Sequence, residues 1–222
     1  MTTVGIIGSG MIGGTVARLS VAAGHQVVVS NSRGPETLQE LVAELGPLAT
    51  AGTAEQAAEA GDLVVVSVPV KAFADIAAKP LDGKPVLDTG NYYPQRDGNL
   101  DELDTGALTS SGLLQRDLPE AHVVKVFNNI YFKHLQSLAR PSGAEDRTAL
   151  PIAGDNAAAK AAVTAYLDSI GYDAVDAGPV AESWRQEPGT PAYGTPYGPF
   201  SDDAGTPASA AKIRTALAAA HR

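Results

Sequence analysis

The sequence predicts an α/β fold built on a mainly parallel sheet, and three observations point to it. Apolar runs that suit buried strands recur along the chain, and segments with helical spacing of apolar residues lie between them. The first run, Val4–Ile7, leads directly into a glycine-rich turn and a helical pattern. Several later runs end in small polar residues, which would meet at one edge of a parallel sheet.

The first 33 residues carry the most specific of these patterns. Gly8 lets the chain turn sharply off the first strand, and Gly10 leaves room for a phosphate to approach the backbone. Gly13 allows the following helix to pack closely on the strand, and Gly24 is placed to end that helix. This order predicts a Rossmann-type, doubly wound sheet that binds a dinucleotide. The predicted contacts to the pyrophosphate come from Gly8, Ser9, Gly10, Met11, Ile12 and Gly13.

The second strand ends in a turn that bears on the choice of cofactor. A site specific for NAD usually has an acidic residue about 20 residues after the glycines, which binds the ribose 2′-hydroxyl. No Asp or Glu lies between Ser30 and Gly34, and Asn31, Ser32 and Arg33 occupy the turn instead. Two small polar side chains and a guanidinium suit a 2′-phosphate, because Arg presents a planar set of donors. The turn favours NADP(H) over NAD(H), although a solvated turn that happens to contain Arg would look the same.

Composition argues against several classes of function. The 222 residues carry a formal net charge of -9, which disfavours nucleic acids and anionic membrane surfaces as partners. The chain has no cysteine, which excludes a disulfide and a thiolate nucleophile, and its four histidines lack metal-ligand spacing, so no metal site is predicted. No apolar stretch approaches the ~18 residues that span a bilayer, and the early first strand leaves no room for a signal segment. We expect a cytoplasmic protein.

Three further strands are predicted to end at the edge where the cofactor binds. The first, Asp62–Val68, is continuously apolar, as expected for a parallel strand covered on both faces. The other two are Pro85–Thr89 and His122–Phe127, each followed by small polar or aromatic residues. Before them, Thr53 and Gln56 predict a capping box at the start of a helix. The side chains expected along this edge are Ser67, Val68, Pro69, Asn91 and Asn128.

The chain is predicted to consist of two parts. Residues 1–147 form the dinucleotide-binding domain, which ends in a polar loop from Pro141 to Arg147. Residues 148–222 form a small C-terminal α/β part with a helix at Ala157–Ile170 and a second, alanine-rich helix at the end. The segment 187–207 between these helices is rich in Pro and Gly but also contains aromatic residues. We expect it to be an ordered loop that packs either over the site or against a partner subunit.

Four short segments of the chain resemble the coenzyme F420-dependent NADP reductase family, whose enzymes pass a hydride between NADP(H) and a deazaflavin. Two of them are the glycine turn and Asn31–Arg33. The other two, Ile152–Asp155 and Asp176–Pro179, are more specific because they lie outside the generic nucleotide-binding unit. The resemblance runs from the first residue to about Ser183. The family's archaeal members continue with an apolar helix that helps form the substrate and dimer surface, whereas this chain has the loop Trp184–Phe200.

The resemblance implies roles for individual residues. It implies that Ser9, Ser32 and Arg33 hold the 2′-phosphate of NADP(H). It also implies a homodimer that acts on a small-molecule redox substrate, with coenzyme F420 or a flavin as the co-substrate. The residues that it places near the nicotinamide are Pro69, Asn91 and Asn128.

No residue of the sequence stands out as a catalytic acid. Hydride transfer between two flat heterocycles needs face-to-face placement at about 3–3.5 Å and exclusion of water, and it can proceed without a strong acid. Of the two basic residues that follow the sixth strand, Lys133 and His134, we consider His134 as a catalytic candidate. The aromatic residues that could form a wall for a flavin-like ring, or else serve ordinary packing, are Tyr92, Tyr93, Tyr131 and Trp184.

Three functions stay open at this point. The first is an NADP(H)-dependent oxidoreductase that acts on a deazaflavin or flavin. The second is an NADPH-dependent reductase of a small carbonyl or imine substrate. Families of that kind add a long interdomain helix and a helical dimerisation domain, whereas residues 148–222 contain strand and Pro-Gly signals. The third is a non-catalytic NADP(H) sensor in which the loop from Glu187 changes state on binding.

Overall fold

The computed structural model describes residues 2–222, whose strands form one eight-stranded sheet. Across the sheet their order is β3-β2-β1-β4-β5-β6-β7-β8, and all neighbouring pairs are parallel except β6 and β7. The predicted Rossmann-type, mainly parallel sheet is confirmed. The strands are β1 (Thr3–Ile7), β2 (Gln26–Ser30), β3 (Ala49–Ala51), β4 (Leu63–Val66), β5 (Pro85–Asp88), β6 (His122–Lys125), β7 (Ala149–Gly154) and β8 (Asp173–Asp176).

Helices connect most of the strands. The predicted capping box is confirmed, because the Thr53 hydroxyl accepts from the backbone N–H of Gln56 and the Gln56 side chain accepts from that of Thr53. Among residues 2–222, no helix is long and apolar enough to cross a membrane. The α-helices are α1 (Met11–Ala22), α2 (Gln39–Leu45), α3 (Ala54–Ala60), α4 (Pro94–Asp97), α5 (Asp101–Asp104), α6 (Ser110–Asp117), α7 (Phe132–Ser137), α8 (Ala157–Ser169) and α9 (Ala210–Ala218). Short 3-10 helices lie at Pro35–Leu38, Val70–Asp75, Lys79–Leu81, Val180–Gln186 and Thr195–Tyr197.

The sheet is buried on both faces, and β4 shows how its sequence achieves this. Leu63 and Val65 pack into one apolar core, which includes buried residues of α1, α8 and α9. Val64 and Val66 point the other way, into a second core that includes residues of α3 and α6. Because successive side chains of a strand alternate between faces, a strand covered on both sides must be apolar throughout.

The strand order places a crevice at one edge of the sheet. β1 lies between β2 and β4, so the chain runs outward from β1 in one direction to β3 and then returns to build the sheet in the other direction. In sheets of this kind, ligands bind beyond the carboxyl ends of the strands at the point where the direction reverses. The residues that follow β1, β2 and β4 therefore face this crevice.

The C-terminal part continues the sheet. β7 pairs antiparallel with β6, through Val124 with Gly154 and Lys125 with Ala153, and β8 pairs with β7. On the face of the sheet, Tyr166 of α8 is buried and its hydroxyl lies 2.6 Å from the Ser20 hydroxyl of α1. One apolar core thus contains residues from both parts of the chain. The domain boundary at residue 147 stays a prediction.

The Pro-Gly segment 187–207 is an ordered loop that packs on its own chain. Tyr197 is fully buried in the core, and its hydroxyl donates to the carbonyl oxygen of Ala149 at 3.1 Å. The backbone N–H of Gly194 donates to the carbonyl oxygen of Asn129 at 2.8 Å. The Asn129 side chain in turn donates to the carbonyl oxygen of Ala192 at 2.8 Å. These bonds fix the loop against β7 and against the residues that follow β6.

Candidate functional site

A cavity of about 520 Å³ opens at the carboxyl ends of β1, β2 and β4. Among the described residues that line it, Asp75 is the one carboxylate. The cavity brings together three segments that are far apart in the sequence, as the strand order requires. The predicted site residues that line it are Gly8, Ser9, Gly10, Asn31, Ser32, Arg33, Ser67, Val68 and Pro69.

The glycines of the first turn differ in what surrounds them. Gly8 has φ +100, and a Cβ there would lie 2.2 Å from the carbonyl oxygen of Ser67. A Cβ on Gly13 would lie 1.9 Å from the carbonyl oxygen of Gly8, so this residue sets how closely α1 approaches the turn. Around Gly10, in contrast, no atom of the described residues beyond its own chain neighbours lies within 4 Å of the Cβ position. That open space next to the backbone fits a pyrophosphate.

The start of α1 offers donors to such a group. Gly10 is the N-cap of this 12-residue helix, with no side-chain cap and no acidic residue in the first turn. The first N–H groups of a helix lack intrahelical partners and attract anions. Met11, whose side chain is 70% exposed, and Ile12, which is half-buried, lie in this first turn and do not line the cavity. They can contribute backbone N–H groups rather than side chains.

The turn after β2 is held by its own polar side chains. The Asn31 carboxamide oxygen accepts from the backbone N–H of Arg33 at 2.9 Å, and its nitrogen donates to the Thr37 hydroxyl at 2.9 Å. Ser32 and Arg33 are exposed at the cavity, and no carboxylate of residues 2–222 forms an ion pair with Arg33. An exposed guanidinium beside two small polar groups fits a phosphate dianion.

Asn91 and Asn128 meet beyond the ends of β5 and β6. The Asn91 side chain donates to the backbone carbonyl oxygen of Asn128 at 2.8 Å. The Asn128 side-chain nitrogen donates to the Asn91 side-chain oxygen at 3.0 Å and to the carbonyl oxygen of Gln186 at 2.8 Å. Neither residue lines the cavity described above. The side-chain oxygen of Asn128 is buried and has no hydrogen-bond partner among residues 2–222. A buried acceptor of this kind suits a ligand that brings an N–H donor.

Lys125 of β6 forms a buried network next to the Asn91–Asn128 pair, and the sequence analysis did not identify it. Its ammonium donates to the Gly90 carbonyl oxygen and the Ser110 hydroxyl, both at 2.7 Å, and lies 3.3 Å from the Asp88 carboxylate. The side chains of Lys125 and Asp88 are 0% exposed. Glu187 completes the group by accepting from the N–H and hydroxyl of Ser110 at 3.1 and 2.8 Å.

This buried network fixes two segments of the edge, the turn at Gly90 and the start of the loop 187–207. A lysine within an otherwise apolar strand is the signal that could have revealed it, since a buried ammonium requires charged and hydrogen-bonding partners. Asp88 at the end of the neighbouring apolar strand is the matching signal.

His134 does not reach the cavity. It is fully buried in α7, and its Nε2 contacts the carbonyl oxygen of Asp202 in the loop 187–207. His134 has no exposed surface and does not line the cavity, and the catalytic role considered for it stays a prediction. Lys133, next to it, forms a surface ion pair with Asp203 at 2.6 Å.

The four aromatic residues do not form one wall. Tyr92 donates to the Asp104 carboxylate at 2.7 Å. Trp184 has the guanidinium groups of Arg185 and Arg222 over its ring at 4.7 and 4.9 Å. The other two, Tyr93 and Tyr131, lie near the loop 187–207 through contacts with Tyr193 and Phe200.

Known proteins are similar to this chain in sequence and in fold. The family model described as NADP oxidoreductase, coenzyme F420-dependent, matches residues 3–92. The structure of hypothetical protein SMa0349 from Sinorhizobium meliloti is similar with a TM-score of 0.74 and 30% identity, over 87% of this chain and 93% of that one. A candidate F420-dependent NADP reductase from Arthrobacter sp. FB24 gives a TM-score of 0.68 and 25% identity, over 82% of this chain and 87% of that one.

A sequence relative matches a shorter region. The Escherichia coli (strain K12) protein YjhV is 43% identical over 53 residues, which are 24% of this chain and 39% of YjhV. This chain therefore matches well under half of that relative. The two structural matches, by contrast, extend over most of the fold, and the family match contains both the glycine turn and the Asn31–Arg33 turn. The chain belongs to the family of coenzyme F420-dependent NADP oxidoreductases.

Proposed function

We propose that the protein transfers a hydride between NADP(H) and a deazaflavin of the coenzyme F420 type. In the direction of deazaflavin reduction, NADPH, the oxidised deazaflavin and one proton give NADP⁺ and the reduced deazaflavin. Family membership supports the reaction class. The deazaflavin itself rests on the family description and on the resemblance of the segments around Ile152–Asp155 and Asp176–Pro179.

One observation carries the choice of NADP(H). The turn after β2 presents Ser32 and Arg33 to the cavity, with no acidic residue in the turn and no ion pair on Arg33 within residues 2–222. An acidic residue in this turn would bind the 2′-hydroxyl of NAD and repel a 2′-phosphate. The guanidinium of Arg33 can instead bind the phosphate through two parallel N–H bonds.

The remaining residues would bind and orient the cofactor. The first turn of α1 and the open space at Gly10 would hold the pyrophosphate, and Ser67, Val68 and Pro69 would line the path toward β5. There the unpartnered side-chain oxygen of Asn128 would accept from the carboxamide of the nicotinamide. The bound cofactor would supply the hydride, and these residues would orient its nicotinamide ring.

This geometry bears on the two other functions considered. A carbonyl or imine reductase benefits from a proton donor beside the nicotinamide, and His134, the donor considered for that role, is buried in α7. A sensor would require the loop 187–207 to move, yet Tyr197 anchors this loop in the core. Hydride transfer between two rings needs neither feature. The homodimer and the cytoplasmic location stay predictions.

The proposal is tested by anaerobic stopped-flow mixing of the protein with NADPH and coenzyme F420. We expect the deazaflavin absorbance to disappear with formation of one NADP⁺ per F420 reduced, and a much weaker reaction with NADH. NADPH oxidation by small cyclic imines or aldehydes but not by F420 would favour the reductase alternative. Binding of NADPH with no turnover of either substrate would favour the sensor.

A further inference from the structure

The loop 187–207 forms a groove that the cofactor does not account for. It has a volume of about 440 Å³ and is lined by Tyr193, Gly194, Thr195, Gly198, Pro199 and Phe200. Phe200 is 51% exposed, which is unusual for a large apolar side chain in this fold. Its ring lies 5.4 Å from that of Tyr131 and 6.4 Å, edge-on, from that of Tyr193. The exposed Phe200 ring, held by contacts with two other rings, offers a flat apolar surface to a ligand.

The groove lies beside the edge at which the nicotinamide is proposed to bind. The Tyr193 hydroxyl is 2.7 Å from the hydroxyl of Tyr93, which is two residues after Asn91. On the other side, Gly194 is bonded to Asn129, the neighbour of Asn128. The loop thus connects the turns that follow β5 and β6, and these turns carry the Asn91–Asn128 pair.

The chemistry of the groove selects for a flat, weakly polar ligand. Its lining has aromatic rings, glycine backbone and hydroxyl groups, and none of the described residues that line it is charged. Burial raises the pKa of the Tyr193 hydroxyl, so this hydroxyl stays protonated and can both donate and accept hydrogen bonds. Such a surface suits a heteroaromatic ring with carbonyl and N–H groups at its edge, rather than a small carboxylate or phosphate.

Gly194 shapes this groove. It has φ +70, and a Cβ at this position would lie 2.6 Å from the ring of Phe200. Any side chain here would therefore push the Phe200 ring out of its present position as well as strain the backbone. The glycine therefore leaves room for the Phe200 ring beside the loop backbone.

We propose that this groove is the acceptor subsite and binds the flat ring system of a flavin-type hydride acceptor, an inference that rests on the proposed function. The Phe200 ring packs against the face of the acceptor, and the Tyr93–Tyr193 hydroxyl pair contacts its polar edge. The tail of the acceptor extends away from the groove into solvent. The loop that replaces the family's apolar helix thereby supplies the acceptor surface in this chain.

The test measures binding rather than turnover, with oxidised coenzyme F420 and riboflavin as separate probes and NADP⁺ titrated independently. We expect Phe200→Ala to weaken binding of the ring probe by about three- to tenfold, as the loss of an aromatic pair implies, and Phe200→Tyr to restore it. NADP⁺ affinity stays at the wild-type value in both variants, because Phe200 does not line the cofactor cavity.

The outcomes separate this inference from the proposed function. Equal probe affinity in wild type and Phe200→Ala, or no binding of either probe to the wild type, overturns the acceptor subsite. Riboflavin binding that depends on Phe200 without any F420 binding supports the groove as a ring site and removes the deazaflavin from the proposed function. Failure of NADP⁺ to bind overturns the proposed function, while the probe titrations still show whether the groove binds the ring of the acceptor.

Discussion

Replacement of Arg33 by Ala tests the assignment of NADP(H). The Arg33 side chain is exposed at the cavity and forms no ion pair within residues 2–222, so its removal breaks no buried contact and should leave the fold intact. It would remove a charge-assisted contact to the 2′-phosphate, which contributes about 1.5–3 kcal/mol. This corresponds to a loss of about 10- to 160-fold in NADPH affinity. NADH has no 2′-phosphate, so its affinity should change little.

The assay is isothermal titration calorimetry, which measures the affinity of wild type and of Arg33→Ala for NADPH and for NADH. A suitable control is Arg116→Ala, which removes the same charge from α6. Arg116 forms a surface ion pair with Glu102 and does not line the cavity. Exposed pairs of this kind contribute little to stability, and the control should keep both affinities. Equal weakening of NADPH and NADH by Arg33→Ala, or no weakening of either, would refute the 2′-phosphate assignment.

Four further substitutions test other parts of the structure. Gly10→Val should abolish NADPH binding by filling the space for the pyrophosphate, and the melting temperature should change little because that space is open. Retained NADPH affinity in Gly10→Val would show that the pyrophosphate binds elsewhere. Gly13→Ala should instead lower the melting temperature, because it forces a Cβ to 1.9 Å from a carbonyl oxygen. Lys125→Met should cost about 3–5 kcal/mol in urea denaturation, since it leaves Asp88 buried without its cation, and an unchanged midpoint would contradict this. Tyr166→Phe should cost about 1 kcal/mol in the same assay by removing the hydroxyl contact to α1, and a stability equal to wild type would show that this contact contributes nothing.

The sequence was most informative where local chemistry determines local structure. The glycine spacing, the turn at Asn31–Arg33 and the capping box at Thr53 each depend on residues within a few positions of one another, and the structure has all three features. The apolar run of β4 likewise predicts burial on both faces, because an isolated strand of that composition has no solvated side.

The sequence was least informative where segments distant in the chain meet. His134 is a candidate in the sequence because it follows a strand end, and the sequence does not show that Asp202, 68 residues further along the chain, contacts its ring. The aromatic residues Tyr92 and Trp184 contact different partners. Tyr92 donates to Asp104, whereas Trp184 packs against the guanidinium of Arg185. Lys125 could have been identified as a buried charge, but its partners at Ser110 and Glu187 depend on tertiary packing.

A crystal structure of the protein with NADP⁺ bound tests the central claim most directly. We predict that the 2′-phosphate lies at hydrogen-bond distance from Ser32 and Arg33 and that the pyrophosphate occupies the space beside Gly10 at the start of α1. The nicotinamide carboxamide should meet the free side-chain oxygen of Asn128. A cofactor whose 2′-phosphate points away from Arg33, or whose pyrophosphate lies outside the glycine turn, would contradict the proposed site.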